Sequence, residues 1–223
     1  MASQKLLVLT FLVALSCLAD SMQMQPLDSE VSSAENKVNL SVYYESLCPY
    51  CANFMVNHLL KIFQTDLINI VNLRLIPWGN TQIQPNDTWI CQHGVDECRL
   101  DVIEACAIDS WPRVETHFKF IYCVERLHLM DRHSEWRSCY AANNLDQTPL
   151  NNCYNNGLGF QLEKAYADET AKLNPRHRFV PWVVVNNIPL QEVSLSLSLS
   201  IHTYMYKNEL YLCFHGCRIF RTS

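Results

Sequence analysis

The sequence predicts a mixed α/β domain, and three observations carry that reading. A strand, a helix and a second strand follow one another between Val38 and Trp78, strand character returns at Val180, and the long block between, 80–178, has helical spacing and six cysteines. Two strand-bearing ends can share one mixed sheet if the middle is an insertion. Hence the expected architecture is a β-α-β unit and a closing hairpin, with a disulfide-stapled helical insertion between them.

Val38 to Tyr44 is a short run rich in β-branched and aromatic residues with polar residues on either side, the pattern of a buried strand. Beyond Tyr50, the residues Phe54, Met55, Leu59, Ile62 and Phe63 recur at helical spacing. Ile70 to Trp78 alternates Val71, Leu73 and Leu75 against Asn72 and Arg74 until Pro77 ends the strand. In the middle block, Asp101 to Ile108, Val114 to Leu129 and Leu158 to Leu173 predict helices, separated by Asn-rich loops around Asn143 and Asn151. Val180 to Val185, the turn Asn186-Asn187 and the return Ile188 to Gln191 predict a hairpin.

The chain has 223 residues, 49% of them hydrophobic and 17% charged, which suits one globular domain with a substantial core. Its formal net charge of −5 and the lack of a concentrated basic face argue against nucleic acid as a partner. Lys5, the apolar or small-residue run Leu6 to Leu18, and the small residues Ala19 to Ser21 read as a signal peptide over 1–21. A membrane anchor needs about 20 apolar residues, and no later segment is apolar enough to span a bilayer. Residues 22–36 have no hydrophobic period and read as a flexible leader, so the domain is expected over 37–191. Of 11 cysteines, Cys17 leaves with the signal peptide; the even remainder suggests disulfides in an oxidising compartment. Asn39-Leu40-Ser41 and Asn86-Asp87-Thr88 are glycosylation sequons consistent with the secretory pathway.

Cys48-Pro49-Tyr50-Cys51 stands where the first strand hands over to the first helix. In a chain so rich in cysteine, about half such a pair is expected by chance, so context has to decide its meaning. Unpaired N–H groups and the helix dipole favour an anion at Cys48, while Pro49 loses nothing by lacking an N–H there. The thiolate is the nucleophile of disulfide exchange, and an unperturbed thiol is ionised in only about three molecules in ten thousand at pH 5. A pKa lowered to roughly 5 would raise that fraction to half. Cys48 is then expected to attack a substrate disulfide, and the more buried Cys51 to resolve the mixed disulfide. A structural bridge, half of a zinc site and coincidence are the competing readings; no second C-x-x-C or H-x-x-x-H accompanies the pair. Against them stands Val180-Pro181 before the later strand, because a thioredoxin-type fold places a cis proline beside its reactive pair. There Pro181 would block metal capture by the thiols, and Val180 would offer an edge to an extended substrate.

Cys91-Gln92-His93-Gly94, Glu97-Cys98 and Glu104-Ala105-Cys106 complete a further pattern. With these residues the chain resembles the gamma-interferon-inducible lysosomal thiol reductase family, in its plant-type form, from about Lys37 to Gln191. The family usually has Asn where this chain has Asp101, a change expected to alter local hydrogen bonding and leave catalysis intact. The resemblance implies a thioredoxin-like fold and a soluble glycoprotein that reduces disulfides of unfolding proteins at acidic pH. The leading reading is a protein-disulfide reductase acting on disulfide-containing protein substrates and reopened by a small thiol or other reductant, with no cofactor beyond its own thiols and no metal. The expected location is the secretory pathway, ending outside the cell or in a lysosome or vacuole. On residue chemistry alone, Cys91, Cys98, Cys106, Cys123, Cys139 and Cys153 read as a disulfide frame whose six members allow about 15 connectivities. His93 reads as a hydrogen-bonded structural histidine before a proton carrier. A disulfide-rich binding module with an inert Cys48–Cys51 bridge, and an oxidase or isomerase on the same fold, are the alternative functions.

Residues 192–223 have no 3.6-residue apolar period where family members continue with a covering helix. The alternating run Ser194 to Ser200 is what a TC dinucleotide repeat encodes, and Glu192-Val193-Ser194 can be encoded across an intron-start sequence. Intron read-through is the expectation, with the final helix missing or replaced and Cys213 and Cys217 prone to mispairing. An amphipathic strand bearing Leu195, Leu197 and Leu199 on one face is the alternative.

Overall fold

In a computed structural model, residues 37–190 are described. The expected signal peptide (1–21) and leader (22–36), Gln191 and the 192–223 tail all lie outside the described residues. Strand β1 (Val38–Tyr44) leads into helix α1 (Pro49–Phe54), which continues through a π turn (Met55–Leu59) into α2 (Leu60–Phe63). After α3 (Leu67–Ile70) the chain enters β2 (Val71–Pro77), parallel to β1 with Val38 opposite Val71 and Tyr44 opposite Pro77. The closing hairpin is β5 (Trp182–Val185) and β6 (Ile188–Pro189), numbered after the two short strands described below. Its first strand pairs antiparallel with β1, giving the order β2-β1-β5-β6. Positive φ at Asn186 and Asn187 suits the two-residue turn of this hairpin. The expected strand from Val180 begins at Trp182, with Val180 and Pro181 as its approach.

Between β2 and β5 lie a short hairpin, β3 (Gln82–Ile83) with β4 (Trp89–Ile90), and then α4 (Val95–Ser110) and α5 (Val114–His128). They are followed by α6 (Ser138–Ala142), α7 (Thr148–Asn155) and α8 (Leu158–Ala171). Two expectations are corrected. Helix α4 starts at Val95, with Asp96 and Glu97 in its first turn where acids favour the helix dipole. Asn151 belongs to α7, not to a loop: Pro149 sits in the first turn, and Leu150 and Cys153, three apart, are buried on one face. Helices α4 and α8 approach so closely that a Cβ at Gly159 would stand 2.7 Å from Cys106 Sγ.

The alternation of β1 divides the two faces of the sheet. Val38, Leu40, Val42 and Tyr44 face the main core, with Val71, Leu73, Leu75, Val183 and Val185 from neighbouring strands. Phe54, Met55, Leu59 and Ile62 pack from α1, the π turn and α2, and Phe118, Ile121 and Val124 from α5. On the opposite face Tyr43, Ile76 and Trp182 form a smaller cluster against Tyr166 and Leu173. Cys51 and Phe54 of the first helix belong to this main core, which places the helix's first turn just beyond the end of β1.

Candidate active site

Four residues separate the last strand residue of β1 from Pro49, so the strand delivers Cys48 directly to the N-cap of α1. Cys48 has extended backbone angles there, and its Sγ accepts the Cys51 N–H at 3.4 Å. Pro49 occupies the first turn. Both cysteines are free thiols and both are buried, Cys48 at 4% exposure and Cys51 at 0%. The first cysteine thus meets solvent through a narrow opening and the second does not meet it at all.

The Val180–Pro181 bond is cis, as expected, and Cys48 Sγ stands 4.0 Å from the Val180 carbonyl oxygen. Beside it Tyr50, Asn53, Phe54, His58, Phe179, Val180 and Pro181 line a cavity of about 340 Å³. Tyr50, 77% exposed, forms one lip. A larger cavity, about 650 Å³, lies between β3–β4 and α8 against the Cys91–Cys98 disulfide; neither Cys48 nor Cys51 lines it.

The electrostatics of the two thiols diverge. The Cys51 side chain donating to Cys48 brings the Cys48 pKa down to about 7, helped by N–H groups of Cys51 and Tyr50 and by His93, while burial opposes. At pH 5 about one Cys48 in a hundred is then a thiolate, fewer than at a pKa of 5, because the thiol is too buried for the helix end to act unopposed. Burial, the bond to Cys48 and the Cys48 charge push Cys51 well upward.

Sequence reasoning missed a set of acids behind the pair. Glu45, Glu97, Asp101, Glu104, Glu125 and Glu163 are all buried. Burial raises Glu45 to about 7 and Glu104 to about 8, and pushes Asp101, Glu125 and Glu163 well above the carboxylate range. Tyr44 Oη donates to Glu104 Oε2 at 2.6 Å. Asp101 Oδ1 accepts the Ser46 N–H at 2.9 Å, so the position where the family usually has Asn holds the backbone two residues before Cys48. Glu97, Asp101 and Glu104 share one face of α4 at i, i+4 and i+7, which was the available signal; an acidic stripe on a helix ordinarily reads as a solvated face.

The other marked residues are distributed around the helical segment. Cys91–Cys98, Cys106–Cys153 and Cys123–Cys139 form three disulfides, a single choice among the connectivities left open above. His93 Nδ1 contacts Glu97 Oε2 and lies 3.6 Å from Glu45 Oε2, so it is hydrogen-bonded and paired with acids. Asn86 is exposed in the β3–β4 turn; Asn39 lies in central strand β1, where its Oδ1 accepts from Asn72 at 2.9 Å. Among the described residues, no helix is long and apolar enough to cross a membrane.

Known proteins resemble this chain in sequence and in fold. Residues 39–143 match the family described as gamma interferon inducible lysosomal thiol reductase (GILT). The gamma-interferon-responsive lysosomal thiol protein of Arabidopsis thaliana is 41% identical over 184 residues, covering 82% of this chain and 75% of that one. The gamma-interferon-inducible lysosomal thiol reductase of Mus musculus is 35% identical over 179 residues, covering 79% and 71%. In fold, Chlamydia trachomatis DsbA is similar with a TM-score of 0.57 at 12% identity, covering 79% of this chain and 89% of that one. A thioredoxin-like oxidoreductase from Silicibacter pomeroyi follows with a TM-score of 0.52 at 15% identity, covering 79% and 90%. The fold is thioredoxin-like, and the chain belongs to the gamma interferon inducible lysosomal thiol reductase family as a thiol–disulfide oxidoreductase.

Proposed function

We propose that Cys48 and Cys51 carry the exchange, reducing disulfides of extended protein chains at acidic pH. The observation that carries this reading is the environment of Cys48 Sγ, which caps a helix, accepts the Cys51 N–H and faces the Val180 carbonyl. The Cys48 thiolate attacks one sulfur of the substrate disulfide, and the other leaves as a thiolate that takes up a proton. Cys51 then gives up its proton and attacks Cys48 Sγ. The substrate departs with two thiols, and a Cys48–Cys51 disulfide remains for a small thiol or other reductant to reopen. The substrate chain lies along Val180 and Pro181, its flanking side chain in the cavity walled by Tyr50, Phe54 and Phe179.

Acidic working conditions agree with the buried acids, which folding holds in their neutral form. The route is through the secretory pathway to a lysosome, a vacuole or the exterior, with Asn86 the better-presented of the two glycosylation positions, Asn39 being the other. Both the names of the relatives and the disulfide frame support that route.

Trapping tests the assignment. Incubated with a denatured disulfide-bonded protein, Cys51→Ser accumulates a covalent adduct on Cys48, and brief alkylation of the reduced parent at pH 5 labels Cys48 ahead of Cys51. Full turnover by Cys51→Ser, or an adduct on any other cysteine, refutes the roles.

A further inference from the structure

The loop that opens α4 folds back on the segment just before Cys48, and there it brings together three side chains of metal-ligand type. Glu45 Oε2, His93 Nδ1 and Glu97 Oε2 belong to a group whose ligand atoms all lie within 4.8 Å of one another. Each carboxylate already has one oxygen committed to a backbone N–H. Asn80 N–H donates to Glu45 Oε1, and His93 N–H donates to Glu97 Oε1 at 3.1 Å. This leaves the two Oε2 atoms turned toward the same imidazole nitrogen.

Glu45 makes the cluster more than a patch of acids. Its side chain has 0% exposure, its Oε2 has no hydrogen-bond partner, and that atom is aimed at His93 Nδ1 from 3.6 Å. Room for it comes from Gly79, where φ is +54° and an added Cβ would stand 2.2 Å from Glu45 Cγ. Around Zn2+ bound at about 2.1 Å, tetrahedral ligand atoms stand roughly 3.4 Å apart, close to the Glu45–His93 separation. Glu97 Oε2 is in direct hydrogen-bond contact with His93 Nδ1, so its carboxylate has to turn slightly outward to admit an ion.

We propose that Glu45, His93 and Glu97 form a binding site for a divalent transition-metal ion, Zn2+ being the best match to one imidazole nitrogen and two carboxylate oxygens. The His93 side chain, 31% exposed, gives the ion its way in and leaves a fourth position for solvent. Asn80 and the His93 backbone orient the two carboxylates as outer-shell partners do in metal sites. The site is distinct from the thiols, because every ligand is nitrogen or oxygen.

The test uses the full chain with its free thiols alkylated and its disulfides intact, titrated with Zn2+ by calorimetry and with Co2+ as a spectroscopic probe. The expected result is a single equivalent bound, with visible Co2+ bands and no thiolate-to-cobalt charge transfer. His93→Gln, at a partly exposed position, weakens binding about tenfold or more, as does Glu97→Gln. Loss of binding on alkylation overturns the proposal by making the thiols the ligands. Equal affinity in His93→Gln, or no saturable binding by the alkylated parent, overturns it as well.

Discussion

The eight cysteines of the described residues fall into two regions that treat the same side chain in opposite ways. At the sheet-to-helix junction, Cys48 and Cys51 lie in one helical turn and remain thiols. In the helical segment, six cysteines are joined in pairs with Cα–Cα distances of 5.6–5.7 Å, two of the pairs linking different helices. Within the turn, one thiol is the hydrogen-bond donor of the other, and their pKa values are driven apart. Across helices, the bridge closes a loop and limits the unfolded chain. On the proposed roles, reactivity follows from local donors at one end of a helix, and stability from the length of chain that a bridge encloses.

The sharpest way to break this contrast is to remove one cysteine from each region. Cys48→Ser should abolish reduction of a denatured disulfide protein while leaving Tm nearly unchanged, as read by an insulin-type turbidity assay and by calorimetry. Replacing Cys106 and Cys153 together by Ala should do the reverse. Chain-entropy arithmetic gives about 4 kcal/mol lost for this 47-residue separation, about 3 for Cys123–Cys139 and about 2 for Cys91–Cys98. Denaturant midpoints of the three double variants should fall in that order, with activity per folded molecule retained; loss of turnover in Cys106→Ala/Cys153→Ala at full folding would merge the two regions.

A third test sharpens the contrast through pH. A carboxyl group whose pKa rises on folding holds its proton more tightly in the folded chain. Its contribution is complete below its ordinary value of 4.5 and is lost as pH rises, for Glu104 through about 8. Each such group changes stability by at most about 1.4 kcal/mol per pH unit in that window. Melting temperature should therefore fall by several degrees between pH 5 and pH 8, and Glu104→Gln, which keeps an acceptor for Tyr44, should flatten the curve. A Tm that rises over this range would contradict the protonated state of the cluster.

The smallest effect is expected at the cavity beside Pro181. Phe179→Ala should raise KM for an extended peptide disulfide by about fivefold, near 1 kcal/mol of lost contact, with kcat unchanged. A change in kcat alone would place Phe179 with the positioning of Cys48 and not with the substrate.

Much of this was legible in the chain. Local patterns identified β1 from its short β-branched and aromatic run, β2 from its apolar alternation and the closing hairpin from its Asn186-Asn187 turn, and the Cys48-Pro49-Tyr50-Cys51 junction because N-caps are local. The α7 helix was hidden because its Asn-rich composition has weak helix propensity, overridden by burial of Leu150 and by the bridge of Cys153 to Cys106. The buried acids were hidden for a related reason: Glu97, Asp101 and Glu104 on one face of α4 look like a solvated stripe until β1, α5 and α8 close over them.

By itself, the sequence determined the strand–helix–strand start, the placing of Cys48 and Cys51 at a helix N-terminus, the Val180-Pro181 approach and the family, because each depends on residues adjacent in the chain or on a contiguous signature. Only the tertiary structure decided which of the six remaining cysteines pair, that Asp101 holds Ser46, and that Glu45, His93 and Glu97 meet. Those facts depend on segments 7 to 55 residues apart coming within a few ångströms, where burial changes what a thiol or a carboxyl group is.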